Sequence, residues 1–180
     1  MIDSLAAVGA PAYNAGPMRP PAEIEPATEK DVPDILAMIR DLAEYEKLAD
    51  QVTATEDVLR ASLFGDSPAA EVIFARVGEE RVGFAVFFES FSTFLGQRGL
   101  YLEDLFVKPE HRGCGHGRTL LTYLARLAVE RGCGRLEWAV LNWNTPAIGF
   151  YKGLGAVPQD QWTVYRLTGD RLRRLADPQG

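Results

Sequence analysis

The chain has 180 residues, a length that suits one globular domain with a sizeable core. It is 47% hydrophobic and 24% charged, and no apolar run approaches the ~20 residues of a membrane-spanning helix. A formal net charge of -6 argues against a nucleic-acid binder, which carries a basic face, and is compatible with a cationic substrate.

Residues 1–22 read as a tail rich in Ala, Gly and Pro, without the charged start and long apolar stretch of a secretory signal. The ordered domain is expected over 23–176, with 177–180 as a second short tail. Ile24 opens a strand. Thr28 reads as a helix N-cap, with Asp31 in the capping-box position. Val32, Ile35, Leu36, Ile39, Leu42 and Ala43 then mark one helical face, and Pro33 is tolerated in the first turn. A second helix is predicted from Thr55 to Phe64, closed by Gly65. The runs 71–77 and 81–90 read as a hairpin around Gly78, and 91–99 as a loop.

The segment L-Y-L-E-D-L-F-V-K, Leu100 to Lys108, is an apolar strand interrupted by Glu103 and Asp104, and Pro109 ends it. R-G-C-G-H-G-R-T follows at Arg112–Thr119. Leu120, Leu121, Leu124, Leu127 and Ala128 then repeat at helical spacing up to Gly132. A further strand is expected over 135–141. Thr145 reads as an N-cap, Pro146 as a first helical residue, and Ala147, Ile148, Tyr151 and Leu154 as the apolar face of a short helix. Residues 162–167 read as a last strand. This order implies an α/β (α+β) fold with a mixed sheet, and a parallel crossover through the helix after the glycines.

Three alternating glycines leading into a helix form a phosphate cradle, because backbone N–H groups can approach an anion closely there. A nucleotide-triphosphate loop needs lysine after its last glycine, where Arg118 stands. A dinucleotide fingerprint needs a third glycine where Arg118 or Leu120 stands. Both spacings fail. The pattern that fits is [QR]-x-x-G-x-[GA], Arg112 to Gly117. Cys114 and Cys133 form no zinc or disulfide framework, so a reducing, cytoplasmic setting is the default. His111 and His116 lie at the loop without metal-ligand spacing and read as solvated loop residues; no metal is expected.

With Y-L-E-D-L-F-V before it and W-N-T-P-A-I-G-F-Y-K after it, this loop resembles the acyl-CoA pyrophosphate loop of the GNAT N-acetyltransferases. L-A-E-Y-E-K at the end of the first helix brings the chain nearest the diamine and polyamine (spermidine/spermine) acetyltransferases. The resemblance implies a mostly antiparallel central sheet with flanking helices and a splayed acetyl-CoA cleft. It also implies a homodimer and a small cationic amine as acceptor; direct acetyl transfer in a ternary complex is expected because Cys114 sits in the loop and no other cysteine is placed as an acyl carrier. Arg112, Gly113, Cys114, Gly115, His116, Gly117, Arg118 and Thr119 would hold the pyrophosphate. The N–H groups of Leu105, Phe106 and Val107 would contact the acetyl carbonyl and pantetheine arm, provided the neighbouring strand splays away and leaves them unpaired. Asn144, Pro146, Ala147 and Tyr151 would line that arm.

Amine chemistry sets further demands. An alkylamine with a pKa of about 10.4 is almost wholly protonated at neutral pH, so obtaining the nucleophile costs ~4–5 kcal/mol. The resemblance gives Glu103 the role of proton acceptor, through water, and Tyr151 that of acid for the departing thiolate. Side by side on a regular strand, Glu103 and Asp104 would point to opposite faces. A carboxylate near the amine also raises the amine's pKa, so acidic residues favour binding and oppose deprotonation. Tyr45, Glu46, Glu103, Asp104, Glu137, Trp138, Asp160 and Trp162 are the expected acidic and aromatic walls of the acceptor site. Each has a plainer alternative, as a solvated helix end or a packing residue. Asn142 stands where related polyamine enzymes carry glutamate, which keeps a lysine-like amino acid such as thialysine open as acceptor. A protein amine and a non-catalytic CoA-binding module are the remaining alternatives.

Overall fold

A computed structural model describes residues 22–177. Apart from Ala22, the tail expected over 1–22 lies outside the described residues, as does most of the short C-terminal one. The chain divides into two compact units, with the boundary between Ala139 and Val140 in sequence, and each is described by itself.

The first unit holds β1 (Glu23–Pro26), α1 (Val32–Tyr45), α2 (Glu56–Phe64), β2 (Glu71–Val77), β3 (Glu80–Ser92), β4 (Gln97–Val107), α3 (His116–Glu130) and β5 (Leu136–Trp138). The sheet runs β1-β2-β3-β4-β5. Its first four strands are antiparallel neighbours and β5 is parallel to β4, so the mixed, mostly antiparallel sheet is as expected. The parallel step is the one that requires a helical crossover, and α3 supplies it.

Register fixes the two faces of the sheet. Phe74 lies opposite Phe84, and Phe84 opposite Phe106; Val72 lies opposite Val86. These side chains share one face and pack with Ile35, Met38 and Leu42 of α1. The opposite face carries Ile73, Ala85, Phe87, Leu100 and Leu102, all buried, and α3 buries Leu120, Leu121, Leu124 and Ala128. Arg81 of β3 ties the start of α1 to the sheet, its Nε 2.8 Å from Glu25, its Nη2 2.7 Å from Asp31 in the turn before the helix and its Nη1 on Asp34 within it.

Up to β5, local structure departs from expectation in three places. The Thr28 N–H does donate to the Asp31 carboxylate at 2.7 Å, but this box caps a 3₁₀ turn, and α1 starts only at Val32. The segment 91–99 is mostly ladder, because β3 runs to Ser92 and β4 starts at Gln97. Backbone pairing propagates along a hairpin even where side chains show no alternation, and Phe91 is 63% exposed there. The predicted strand 135–141 shortens to Leu136–Trp138.

The second unit contains α4 (Thr145–Gly153) and α5 (Gly169–Ala176). Asn144, not Thr145, is the N-cap of α4, its Oδ1 accepting from the Ala147 N–H at 3.3 Å. The expected strand 162–167 does not form: the segment is irregular, with Val164 82% and Tyr165 91% exposed. Apolar spacing makes a segment able to pair but does not supply the neighbouring strand. No helix among the described residues is long and apolar enough to cross a membrane.

Candidate functional site

β4 changes character at Glu103. Leu102 lies opposite Phe87, and Asp104 lies opposite Val86, so Glu103 is an extra residue without a partner on β3. This is a β-bulge. Period-two alternation from Leu102 puts Glu103 on the α1 face. The pairing of Asp104 with Val86 puts Asp104 on that face as well. The two carboxylates therefore share a face, against the opposite faces expected of a regular strand.

The bulge also switches which backbone groups face the open edge. Before it, the Leu100 N–H donates to the Arg135 carbonyl at 2.9 Å, towards β5. After it, the Lys108 N–H donates to Val82 at 2.9 Å, towards β3. Alternation then turns the Phe106 N–H into the β3 ladder and the N–H groups of Leu105 and Val107 away from it. Pairing with β5 stops at Leu102, opposite Trp138. Of the three N–H groups expected to meet the acyl and pantetheine groups, Leu105 and Val107 thus face the edge that β5 leaves open. Phe106 contributes its ring to the α1 core instead.

The glycine loop follows at once. Gly113 (φ 75°) and Gly115 (φ 89°) are left-handed, and a Cβ on either would meet nothing within 4 Å. Glycine is thus required there by backbone conformation and not by crowding. Gly115 caps α3, and Gly117 lies in the first turn of that helix, where unpaired N–H groups favour an anion. The Thr119 hydroxyl turns back to the Gly115 carbonyl at 3.3 Å, and the Cys114 thiol lies 3.6 Å from the Arg112 carbonyl. Arg118 is exposed. His116, expected in solvent, is buried at 2% exposure as the first residue of α3. The imidazole of His111 lies 3.3 Å from Glu80, which also holds Lys108 at 3.0 Å.

Arg112 does not point along the cradle. Its Nε donates to the Val107 carbonyl at 2.9 Å, and its guanidinium lies 4.2 Å from the centre of the Tyr45 ring and 5.5 Å from that of Phe106. Sequence reasoning missed this contact because it joins residues far apart in the chain.

On the same face, Asp104 is half-buried, and its carboxyl is pushed up to about 6 by burial first, then by Glu103 and by Glu46. Burial also raises the Glu46 carboxyl, at the C-terminal end of α1. None of the three carboxylates has an ion pair or a hydrogen bond among the described residues. Buried negative charge without a counter-charge is costly and invites a cation. Glu137 differs, since Arg135 already holds its carboxylate at 2.6 Å. Trp138 is half-buried in β5. Asp160 and Trp162 belong to the second unit, where both are exposed. In that unit Asn144 is buried and Tyr151 half-buried, with Pro146, Ala147 and Tyr151 all on α4.

An open strand edge that runs into an anion-binding glycine loop is a frame for an acyl-CoA. Residues 36–156 match the acetyltransferase (GNAT) family. The chain belongs to that family. It is 42% identical over 164 residues to thialysine N-epsilon-acetyltransferase of Bos taurus, covering 85% of this chain and 96% of the relative. It is 31% identical to L-ornithine N5-acetyltransferase NATA1 of Arabidopsis thaliana, covering 86% of this chain and 87% of that one. Among solved structures, an integron cassette protein from the mobile metagenome of V. cholerae superposes with a TM-score of 0.74 at 29% identity, over 87% of this chain and 98% of the other. The GNAT chain is an N-acetyltransferase with acetyl-CoA as cosubstrate. Its residues fit that group: Gly113 and Gly115 leave the loop open, and the Leu105 and Val107 amides face the unpaired edge.

Proposed function

We propose that this acetyltransferase acts on the side-chain amine of a lysine-like amino acid. Glu46, Glu103 and Asp104, three carboxylates with no ion pair or hydrogen bond among the described residues, carry the reading. They suit an acceptor that arrives as an ammonium. The names of two relatives, one for thialysine and one for ornithine, support an amino acid. The same carboxylates favour a second reading, a diamine or polyamine, which would need no group for an α-carboxylate.

Acetyl-CoA, when bound, supplies the activated thioester. Asp104 and Glu46 attract the ammonium. Glu103, exposed and next to them, takes its proton through water. The nitrogen forms its bond to the acetyl carbon as the carbon–sulfur bond breaks. The Leu105 and Val107 amides serve the acyl oxygen and the pantetheine arm, and Gly113–Thr119 hold the pyrophosphate. Tyr151 gives its phenolic proton to the departing sulfur, and Asn144, Pro146 and Ala147 line the arm. These last roles rest on the family pattern of N-x-P and F-Y-K. A cytoplasmic homodimer completes the proposal; light scattering that gave a monomer would remove that part.

The deciding experiment is a thiol-release assay with acetyl-CoA against thialysine, lysine, ornithine, putrescine, spermidine and spermine. The amino acids are expected to give the highest kcat/KM. A clear preference for spermidine would replace the first reading with the second. In the same assay Tyr151→Phe should lower kcat about 10²-fold with CoA affinity unchanged. Full turnover by that variant would end the acid assignment.

A further inference from the structure

Tyr45 belongs by family resemblance to the acceptor wall, yet its ring lies under a residue of the glycine loop. The Arg112 guanidinium sits 4.2 Å from the ring centre and donates through Nε to the Val107 carbonyl. Three elements meet at this side chain: the last residue of α1, the open edge of β4, and the residue that precedes the left-handed turn at Gly113. Arg112 is exposed, and it makes no hydrogen bond from its terminal nitrogens among the described residues. One Nε bond alone would leave the guanidinium free to swing about it. The Tyr45 face beneath supplies the closer aromatic constraint, with the Phe106 ring 5.5 Å away, and the planar cation is attracted to both.

We propose that Tyr45 is a positioning residue for the cofactor loop, acting by stacking under Arg112 and so fixing where the turn at Gly113 starts. This rests on the reading of that loop as the acetyl-CoA pyrophosphate site. The stack also joins the cofactor loop to the end of α1, where Glu46 follows directly. A contact made for cofactor binding thereby lies beside the proposed acceptor carboxylates.

The test is calorimetric titration of CoA into the full chain and its variants, with melting temperatures measured in parallel. Tyr45→Phe keeps the ring and should leave the Kd for CoA within about twofold. Tyr45→Leu keeps apolar volume against the α1 core but loses the aromatic face, and should raise Kd about fivefold. Arg112→Gln should raise it at least as much, and the double variant Tyr45→Leu/Arg112→Gln no further than Arg112→Gln alone, because both changes remove one link. Arg112→Lys, at an exposed position that folding tolerates, keeps the charge but loses the planar stack and should resemble Arg112→Gln. Wild-type affinity in Arg112→Lys would mean that charge alone matters and would overturn the proposal. So would an unchanged Kd in Tyr45→Leu, or effects that multiply in the double variant. A wild-type chain that bound no CoA would overturn the loop's reading, and this proposal with it.

Discussion

The two halves of β4 share one strand and do opposite work. From Gln97 to Leu102 the strand pairs with β3, and at Leu100–Leu102 with β5 as well, with Leu100 and Leu102 buried. From Asp104 to Val107 it keeps β3 but has lost β5, and its open edge presents amides and the carbonyl that holds Arg112, with the Asp104 carboxylate on the α1 face. One inserted residue separates the halves. The difference shows how a sheet opens an edge without giving up its core. The bulge changes which side the backbone groups face, while Phe106 stays packed on α1.

The contrast can be broken at either half. Glu103→Gln should lower kcat by about 10²- to 10⁴-fold and leave the melting temperature almost unchanged, since the side chain is exposed. Steady-state kinetics beside a thermal melt would show this, and an unaltered kcat would take Glu103 out of the chemistry. Leu102→Ala, one residue earlier, should do the reverse: about 3 kcal/mol of stability lost in denaturant unfolding, because a fully buried side chain leaves a cavity.

Asp104 sharpens the comparison through pH. Its folded carboxyl titrates near 6, above the ordinary 3.8, so between those values the folded chain holds more proton than the unfolded one. Stability therefore falls as pH rises through this window. Asp104→Asn should stabilise the protein by about 2–3 kcal/mol at pH 8, with the gain vanishing near pH 4. The same change should raise the KM for the amine. A melting temperature equal to wild type at pH 8 would mean that Asp104 bears no such cost. The smallest effect is expected at the loop, where Gly115→Ala must hold a left-handed φ of 89° and should cost about 1 kcal/mol of stability, with weaker CoA binding by calorimetry. An equally stable variant with unaltered CoA affinity would show that the loop tolerates another backbone path.

Much of this was legible in the residues. The glycine spacing, the helix after it, the hairpin around Gly78 and the apolar face of α1 all follow from local pattern, because each is set by neighbours within two to four positions. The bulge also left a trace: the residues on the α3 face of β4 shift from even positions, Leu100 and Leu102, to odd ones, Leu105 and Val107. The strand expected over 162–167 was not legible in this way, since a strand exists only through its partner. The burial of His116 is another case: its place beside three glycines suggested solvent, and the packing of α3 decided otherwise.

The sequence by itself determined the glycine turn before α3 and the family, since left-handed backbone conformation is encoded directly in glycine spacing. Only the tertiary structure decided how the carboxylates on the α1 face are charged. Glu46 and Asp104 are 58 residues apart in number, and burial together with mutual repulsion acts on them only once α1 lies across the sheet. The stack of Arg112 on Tyr45 has the same origin. Electrostatic and aromatic contacts depend on distance in space, and the chain order of the residues carries no measure of it.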